Sequence, residues 1–452
     1  MYIHIITITL FILLAGCTEK LEVKPDQSMT IPETVDHYQS LLDFSANMNA
    51  DVPVYGEASA DNYYVTDTRF SVLVLADREA YLWRDKMFPA VVGRVLDWST
   101  QYIRVNYCNT VLAGLKGVSG EAGTAAYNNV KGSALFFRAF SFYVLAEVFC
   151  KAYDSTTATN DLGLPLRTTD DVKQIFPRAS LKETYDQIFN DLYASIPLLP
   201  DIGTVKTRPS RAAAYALLSR MNLILGNYSD AKRYADSSLV IHDKLLDYNT
   251  VEDVGASPFD KFNPEVIFYA TMTGTPLILP GTSGTDTALL NQFAEDDLRK
   301  ILFFRPGTVP GFFSFKGSYS ENPRHLFGGI ATDEIYLTRA ECYAREGDVD
   351  RATADLNKLL RMRWKSGKYV ELTIKDPEIA LRTVLAERRK QLMFRGRRFP
   401  DLRRLNKDPR FSTTVIRSVN GVLYQLPPND PRYVLPIPED EIIVSGIQQN
   451  ER

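Results

Sequence analysis

The sequence predicts a mainly α-helical protein: a scaffold of tetratricopeptide-like helix pairs that carries long loops and short β insertions. Three observations predict it. Apolar residues recur at helical spacing in separated blocks, one helix-turn-helix pattern occurs twice, and a Gly- and Pro-rich segment separates the two copies.

Residues 33–46 and 99–116 are amphipathic. Residues 134–149 (ALFFRAFSFYVLAEVF) are apolar nearly all round, broken only by Arg138, Ser141 and Glu147. A helix without a polar face belongs in the middle of a core. Arg138 within it reads as a buried structural cation, because an unpaired one would be costly. Helices follow at 180–196, ended by Pro197 and Pro200, and at 210–225, introduced by Pro209 and Ser210. From Ala212 the chain reads AAAYALLSRMNLILGNYSDAKRYADSSL, and from Asp333 it reads DEIYLTRAECYAREGDVDRATADLNKLL. At a constant offset of 121, Tyr215 matches Tyr336, Ser219 matches Ala340, Gly226 matches Gly347 and Ala231 matches Ala352. Small residues where two helices approach, with Gly at the turn, form the tetratricopeptide pattern. Because the copies are not in tandem, an uninterrupted solenoid is not expected.

Between them lies an insert of about 250–331, whose 271–330 portion holds eight Gly and five Pro. Such density breaks helices and favours ordered loops and short strands. Phe303, Phe304, Phe312, Phe313, Phe315 and Tyr319 fall within it. A second irregular aromatic stretch, about 50–98, holds Tyr55, Tyr63, Tyr64, Tyr81, Trp83 and Trp98. Pro427 to Pro438 has five prolines in twelve residues and must run extended, wrapping back over the core. The cluster Arg388, Arg389, Arg395, Arg397, Arg398, Arg403 and Arg404 is interleaved with Glu387, Asp401 and apolar residues, which predicts a structural ion-pair network.

At the N-terminus an apolar run from Ile5 to Leu14 stops at Leu14-Ala15-Gly16-Cys17. It is too short for a permanent bilayer-spanning helix, and a cysteine right after Ala-Gly is where a bacterial lipoprotein is cut and acylated. The expected organisation is a signal peptide over 1–16, then one domain over 17–452 with Cys17 lipidated. Cys108, Cys150 and Cys342 remain, too few for a disulfide scaffold. The net charge of −3 and pI near 6.0 give no basic footprint for nucleic acid. No later segment reads as apolar enough to cross a membrane.

Eight blocks carry a family resemblance in one order: CTEKLEVKPDQ, EASADNYYV, LDWSTQYIRVNYCNTVL, GSALFFRAFSFYVLAEVF with LGLPLRT, RPSRAAAYALLSRMNLILGNYSDAKRYAD, DEIYLTRAECYAREGD, LAERRKQLMFRGRRFPDLRR and YVLPIPEDEI. Over almost the whole mature chain this resembles the SusD/RagB family of outer-membrane nutrient-binding lipoproteins. The close, IIVSGIQQNER, lacks the Asn-Pro step usual there. The resemblance implies a SusD-like α/α superhelix, with an N-terminal part over 17–249, the insert over 250–331 and a C-terminal RagB/SusD part over 332–452. It also implies a lipid anchor in the outer membrane, exposure to the exterior, and a TonB-dependent, SusC-like transporter as partner. Family members bind starch, other glycans or peptides, so the ligand class is an oligomer captured for that transporter.

No catalytic or metal spacing stands out. His4, His37, His242 and His325 are isolated, and there is no His-Glu-x-x-His, Cys-x-x-Cys or Gly-x-Ser-x-Gly. Gly281-Thr282-Ser283-Gly284 reads as a turn and nothing more. Neither a cofactor nor a metal is expected, and no enzyme activity. Binding residues sit on loops over rigid scaffolds, where flat rings offer large contact at low entropy cost. The ligand-binding candidates are Tyr55, Asn62, Tyr63, Tyr64, Trp83, Phe312, Phe313 and Tyr319. Trp98 begins the spacing Trp98-Tyr102-Val105 and reads as core. Two other function classes fit the same residues: a tetratricopeptide-type interaction scaffold, and a glycoside hydrolase using a carboxylate pair.

Overall fold

A computed structural model describes residues 32–253, 255–279, 281–307 and 310–452. The leader and Cys17 lie outside them. Among the described residues ten helices of eight residues or more build the scaffold: α1 Val35–Leu42, α2 Leu96–Gly114, α3 Ala125–Phe149, α4 Leu181–Ser195, α5 Arg211–Leu225, α6 Tyr228–Ile241, α7 Thr332–Glu346, α8 Val349–Arg361, α9 Pro377–Gln391 and α10 Arg398–Leu405. Their starts follow the expected chemistry. Ser180 and Glu183 form a reciprocal capping box on α4, and Ser210 accepts from Ala213 N–H on α5.

The apolar composition of α3 sets its place, since every residue from Gly132 to Phe149 is buried. It is also long and apolar enough to cross a bilayer, contrary to the sequence reading, but its apolar window is wholly buried among neighbours that include α2 and α4. Arg138 on α3 donates to both Asp191 oxygens on α4 at 2.8 and 2.7 Å, and to Asn109 on α2 at 2.9 Å. One paired guanidinium therefore ties three helices.

Helices α5 and α7 both end at a left-handed glycine, Gly226 (φ 80°) and Gly347 (φ 83°), the backbone state that closes a helix most easily without a Cβ. Ala231 and Ala352 are fully buried where each second helix meets its first. The insert does not separate the two hairpins in space, because α6 packs along α7. Arg339 on α7 bridges Asp236 of α6 at 2.7 Å and Asp355 of α8 at 2.8 and 2.7 Å. The stack that the sequence breaks is thus continuous in the fold, and the insert emerges from its side.

Six of the seven arginines of the basic cluster form an ion-pair network, and Arg403 donates instead to the carbonyls of Glu147 and Cys150. Arg388 reaches Asp401 (2.8 Å), Arg395 reaches Asp333 of α7 (2.9 Å), and Arg397 reaches Glu147 of α3 (2.8 and 2.9 Å). Arg404 binds both Asp401 and Glu341. The Pro-rich tail turns once at Pro431–Tyr433 and then runs buried over α3, with Leu435 N–H donating to Val148 O at 2.8 Å. Cys108, Cys150 and Cys342 are buried and free.

Short antiparallel pairs organise the insert. Val266–Phe268 pairs with Ile330–Ala331, Thr271–Thr273 with His325–Phe327, and Phe304–Pro306 with Phe313–Phe315. Gly284–Thr285 pairs with Tyr63–Tyr64, which sews the insert to the first irregular stretch. Gly284 is therefore strand as well as turn. A hairpin with no counterpart in the sequence reading, Val415–Val419 with Val422–Leu426, is closed by Asn420-Gly421, both at positive φ.

Candidate ligand face

The two aromatic, irregular stretches meet on one face, where they line two clefts. The first, about 250 Å³, is walled by Tyr55, Val74, Phe88, Val92, Leu96 and the Thr273–Pro276 turn of the insert, among others. Asp97 fixes its geometry: its Oδ2 accepts from Val54 N–H (2.9 Å) and Tyr55 N–H (2.8 Å), capping the short helix Tyr55–Ser59. The Tyr55 ring stands edge-on to Phe88 at 5.0 Å, and its hydroxyl donates to Asp77 Oδ1 at 3.2 Å. Asp77 Oδ2 has no hydrogen-bond partner among the described residues. Burial raises the Asp77 carboxyl to about 6 against the Tyr55 hydrogen bond, and raises Asp97 to about 7 against its two backbone donors.

The second cleft, about 360 Å³, lies beside the Tyr63–Tyr64 strand and is lined by Asp61, Tyr64, Asp286, Arg389 and Arg417. The Tyr64 ring meets Phe312 edge-on at 6.0 Å and lies over Gly284, where an added Cβ would come within 2.5 Å of the ring. A close approach of this kind requires glycine. Burial works to raise Asp61, but Arg398 (2.6 and 2.7 Å) and Arg389 (3.3 Å) outweigh it and hold the carboxyl below the usual carboxylate range.

Of the sequence candidates, Tyr55, Tyr64, Phe312 and Phe313 are half-buried: Tyr55 lines the first cleft, Tyr64 lines the second and meets Phe312, and Phe313 opens the strand Phe313–Phe315. The other four are buried, although Tyr63 also lines the second cleft. Asn62 donates to Glu57 (2.7 Å), and the Tyr63 hydroxyl donates to Ala58 O (2.5 Å). Trp83 is 1% exposed; its indole N–H donates to Ser59 O at 2.9 Å, and the Arg417 guanidinium lies 4.5 Å from its ring. Tyr319 is fully buried, hydrogen-bonded to Glu265 (2.7 Å) and Tyr248 (2.6 Å) under Arg395. Their aromatic density, read as a surface, packs the insert and the first stretch onto the helices. Trp98 is core as expected, packed on Tyr102 and Phe149.

Sequence reasoning missed Asp77, Asp97 and Arg417. Asp97 caps a helix 42 residues earlier, and Arg417 comes from the unforeseen hairpin to stack on Tyr63, Tyr81 and Trp83. Only the Asn420-Gly421 dipeptide signalled that hairpin. Among the described residues no three His, Cys, Asp or Glu side chains gather as a metal site.

A family profile described as starch-binding and associating with the outer membrane matches residues 19–223, and one described as the SusD family matches residues 332–451. The chain belongs to the SusD/RagB family. Similar solved folds include a SusD superfamily protein from Bacteroides thetaiotaomicron, at 21% identity over 93% of this chain and 100% of that one, TM-score 0.74. Another from Bacteroides fragilis is 19% identical over 92% and 99%, TM-score 0.73. A laminarin binding SusD-like protein is 19% identical over 91% and 97%, TM-score 0.64. No curated protein matches. In this SusD/RagB chain the helix pairs form the scaffold, and the two clefts lie where the irregular segments meet it.

Proposed function

We propose that this protein captures an oligosaccharide on the face built by the two irregular stretches and passes it to a TonB-dependent, SusC-like outer-membrane transporter. The observation that carries the reading is the pairing of Tyr63–Tyr64 with Gly284–Thr285, which joins the two irregular stretches and sets half-buried Tyr64, edge-on to Phe312, beside Asp61, Asp286 and Arg389. Sugar faces stack on such rings while hydroxyls and carboxylates fix orientation. The profile descriptions and the laminarin binding relative support a carbohydrate over a peptide.

Capture here is without conversion: a reversible site must release its cargo, so affinity belongs in the micromolar to millimolar range, about −8 to −4 kcal/mol. Cys17, once acylated, holds the protein in the outer membrane facing the exterior. The first cleft is rimmed by exposed Val74, Val92 and Leu96, an apolar rim suited to a partner surface. The test is a glycan array and a peptide panel on the purified protein, with recovery of the transporter from solubilised membranes. Glycan binding weakened by Tyr64→Ala, together with a co-purified channel, supports the proposal. Empty glycan arrays with a peptide hit overturn its ligand, and absence of any channel overturns its partner.

A further inference from the structure

A separate cleft of about 590 Å³ opens between the loop after α3, the end of α10 and the Pro-rich tail. Three of its carboxylates are engaged by the protein itself. Asp154 accepts from Thr156, Asp161 accepts from Lys151 (3.0 Å) and Thr157 (2.5 Å), and both Asp430 oxygens accept from Arg432 (2.8 Å each). Lys151, Thr157 and Lys407 donate within the protein, Arg403 donates to the carbonyls of Glu147 and Cys150, and Arg452 donates to Trp83 O (3.3 Å) with its Nε 3.9 Å from Asp85. Some donors are left over: Arg403 Nε, Arg452 Nε and Nη1, Asn406 Nδ2 and the Tyr433 hydroxyl are buried and have no hydrogen-bond partner among the described residues. Asn406 can turn one hydrogen to the Tyr433 oxygen, which still leaves the phenol proton and three guanidinium nitrogens. Asn406 and Tyr433 are each 4% exposed.

The imbalance is also electrostatic. Burial lowers the pKa of Arg403, and pulls Arg452 down to about 10, whereas neighbouring Arg404, which meets Glu341 and Asp401, is raised despite its burial. A buried cation with spare donors calls for an acceptor-rich, anionic group. The lining sets Lys151, Arg403, Lys407 and Arg452 against Asp154, Asp161, Asp430 and Glu451, a balance in which a single delocalised charge fits better than a phosphate dianion. Hydroxyls on the same ligand find Thr157 and Asn429, beside the apolar walls Ala152, Pro431 and Val434.

We infer that this cleft is a second saccharide site, selective for sugars that bear a carboxylate, the uronic acids. None of its lining residues lines either cleft of the ligand face, so either site can fail alone. The test is calorimetric titration of the full mature chain with trigalacturonate and trimannuronate against their methyl esters. Arg452→Ala and the conservative Tyr433→Phe serve as site variants, Tyr64→Ala reports on the ligand face, and circular dichroism verifies that each variant is folded. Expected are binding of at least one triuronate, loss of tenfold or more on esterification, a similar loss in Arg452→Ala, several-fold loss in Tyr433→Phe, and no change in Tyr64→Ala. Silence of both triuronates at millimolar concentration, equal binding of ester and acid, or indifference of both site variants overturns the inference. Dependence on Tyr64 would assign the uronate to the ligand face and equally overturn it.

Discussion

Replacing Arg417 by Met removes the cation that holds the first irregular stretch together. Its guanidinium donates to the carbonyls of Tyr81, Ala58 (3.0 Å) and Ala60 (2.5 Å) and lies against the rings of Tyr81, Trp83 and Tyr63 at 4.1, 4.5 and 5.3 Å. Ala58 O keeps the Tyr63 hydroxyl as donor, but the Tyr81 and Ala60 carbonyls lose theirs. Each buried acceptor left unpaired costs about 1–3 kcal/mol. The lost cation–π attraction adds about 0.5–2 kcal/mol, while a neutral side chain recovers part of the desolvation cost. The expected net loss of unfolding free energy is about 3–5 kcal/mol, the size seen when buried charge networks are broken. Guanidinium denaturation followed by tryptophan fluorescence reads it, since Trp83 packs on the guanidinium. Arg417→Lys keeps a charge with fewer donors and falls between. A Met variant with an unchanged midpoint and slope would refute the assignment of this residue as the clamp of the stretch.

Removing one member of the Arg138–Asp191 pair, as in Arg138→Met, strands a buried carboxylate and costs about 3–5 kcal/mol, whereas joint replacement by apolar residues recovers most of it; thermal and chemical unfolding of the three variants decide the matter. Asp77 and Asp97 have pKa values raised to about 6 and 7 in the fold from 3.8, so their protonated forms favour the native state. Their contribution is full below about pH 4 and is lost as pH rises through 6 to 7; Asp77→Asn and Asp97→Asn should flatten the stability–pH profile in that window. Tyr64→Ala should weaken oligosaccharide binding by about 1 kcal/mol or more, roughly fivefold to tenfold, by titration. Cys17→Ala should abolish labelling with a fatty-acid analogue and release the protein from the membrane fraction.

The scaffold was legible because helices write their own period. The all-apolar run 134–149, the Gly226 and Gly347 turns and the Ser210 start each name a local cause, and each cause operates within a few residues. The ligand face was legible only as two aromatic stretches. Their union depends on a two-residue pairing, Tyr63–Tyr64 with Gly284–Thr285, too short to leave an alternating pattern. Trp83 and Tyr319 resemble surface rings in sequence because nothing local announces their partners, Arg417 and Glu265. The continuity of the helix stack was hidden for a similar reason: Arg339 finds Asp236 across the whole insert.

Hydrogen–deuterium exchange with and without a bound oligosaccharide tests the ligand face most directly. The account predicts slowed exchange in peptides from both 50–98 and 271–330, around Tyr55, Tyr64 and the Phe312–Phe313 turn, with the outer helices of the hairpin stack unchanged. Saturating ligand that protects only the α5–α8 hairpins, or only one of the two stretches, would contradict it.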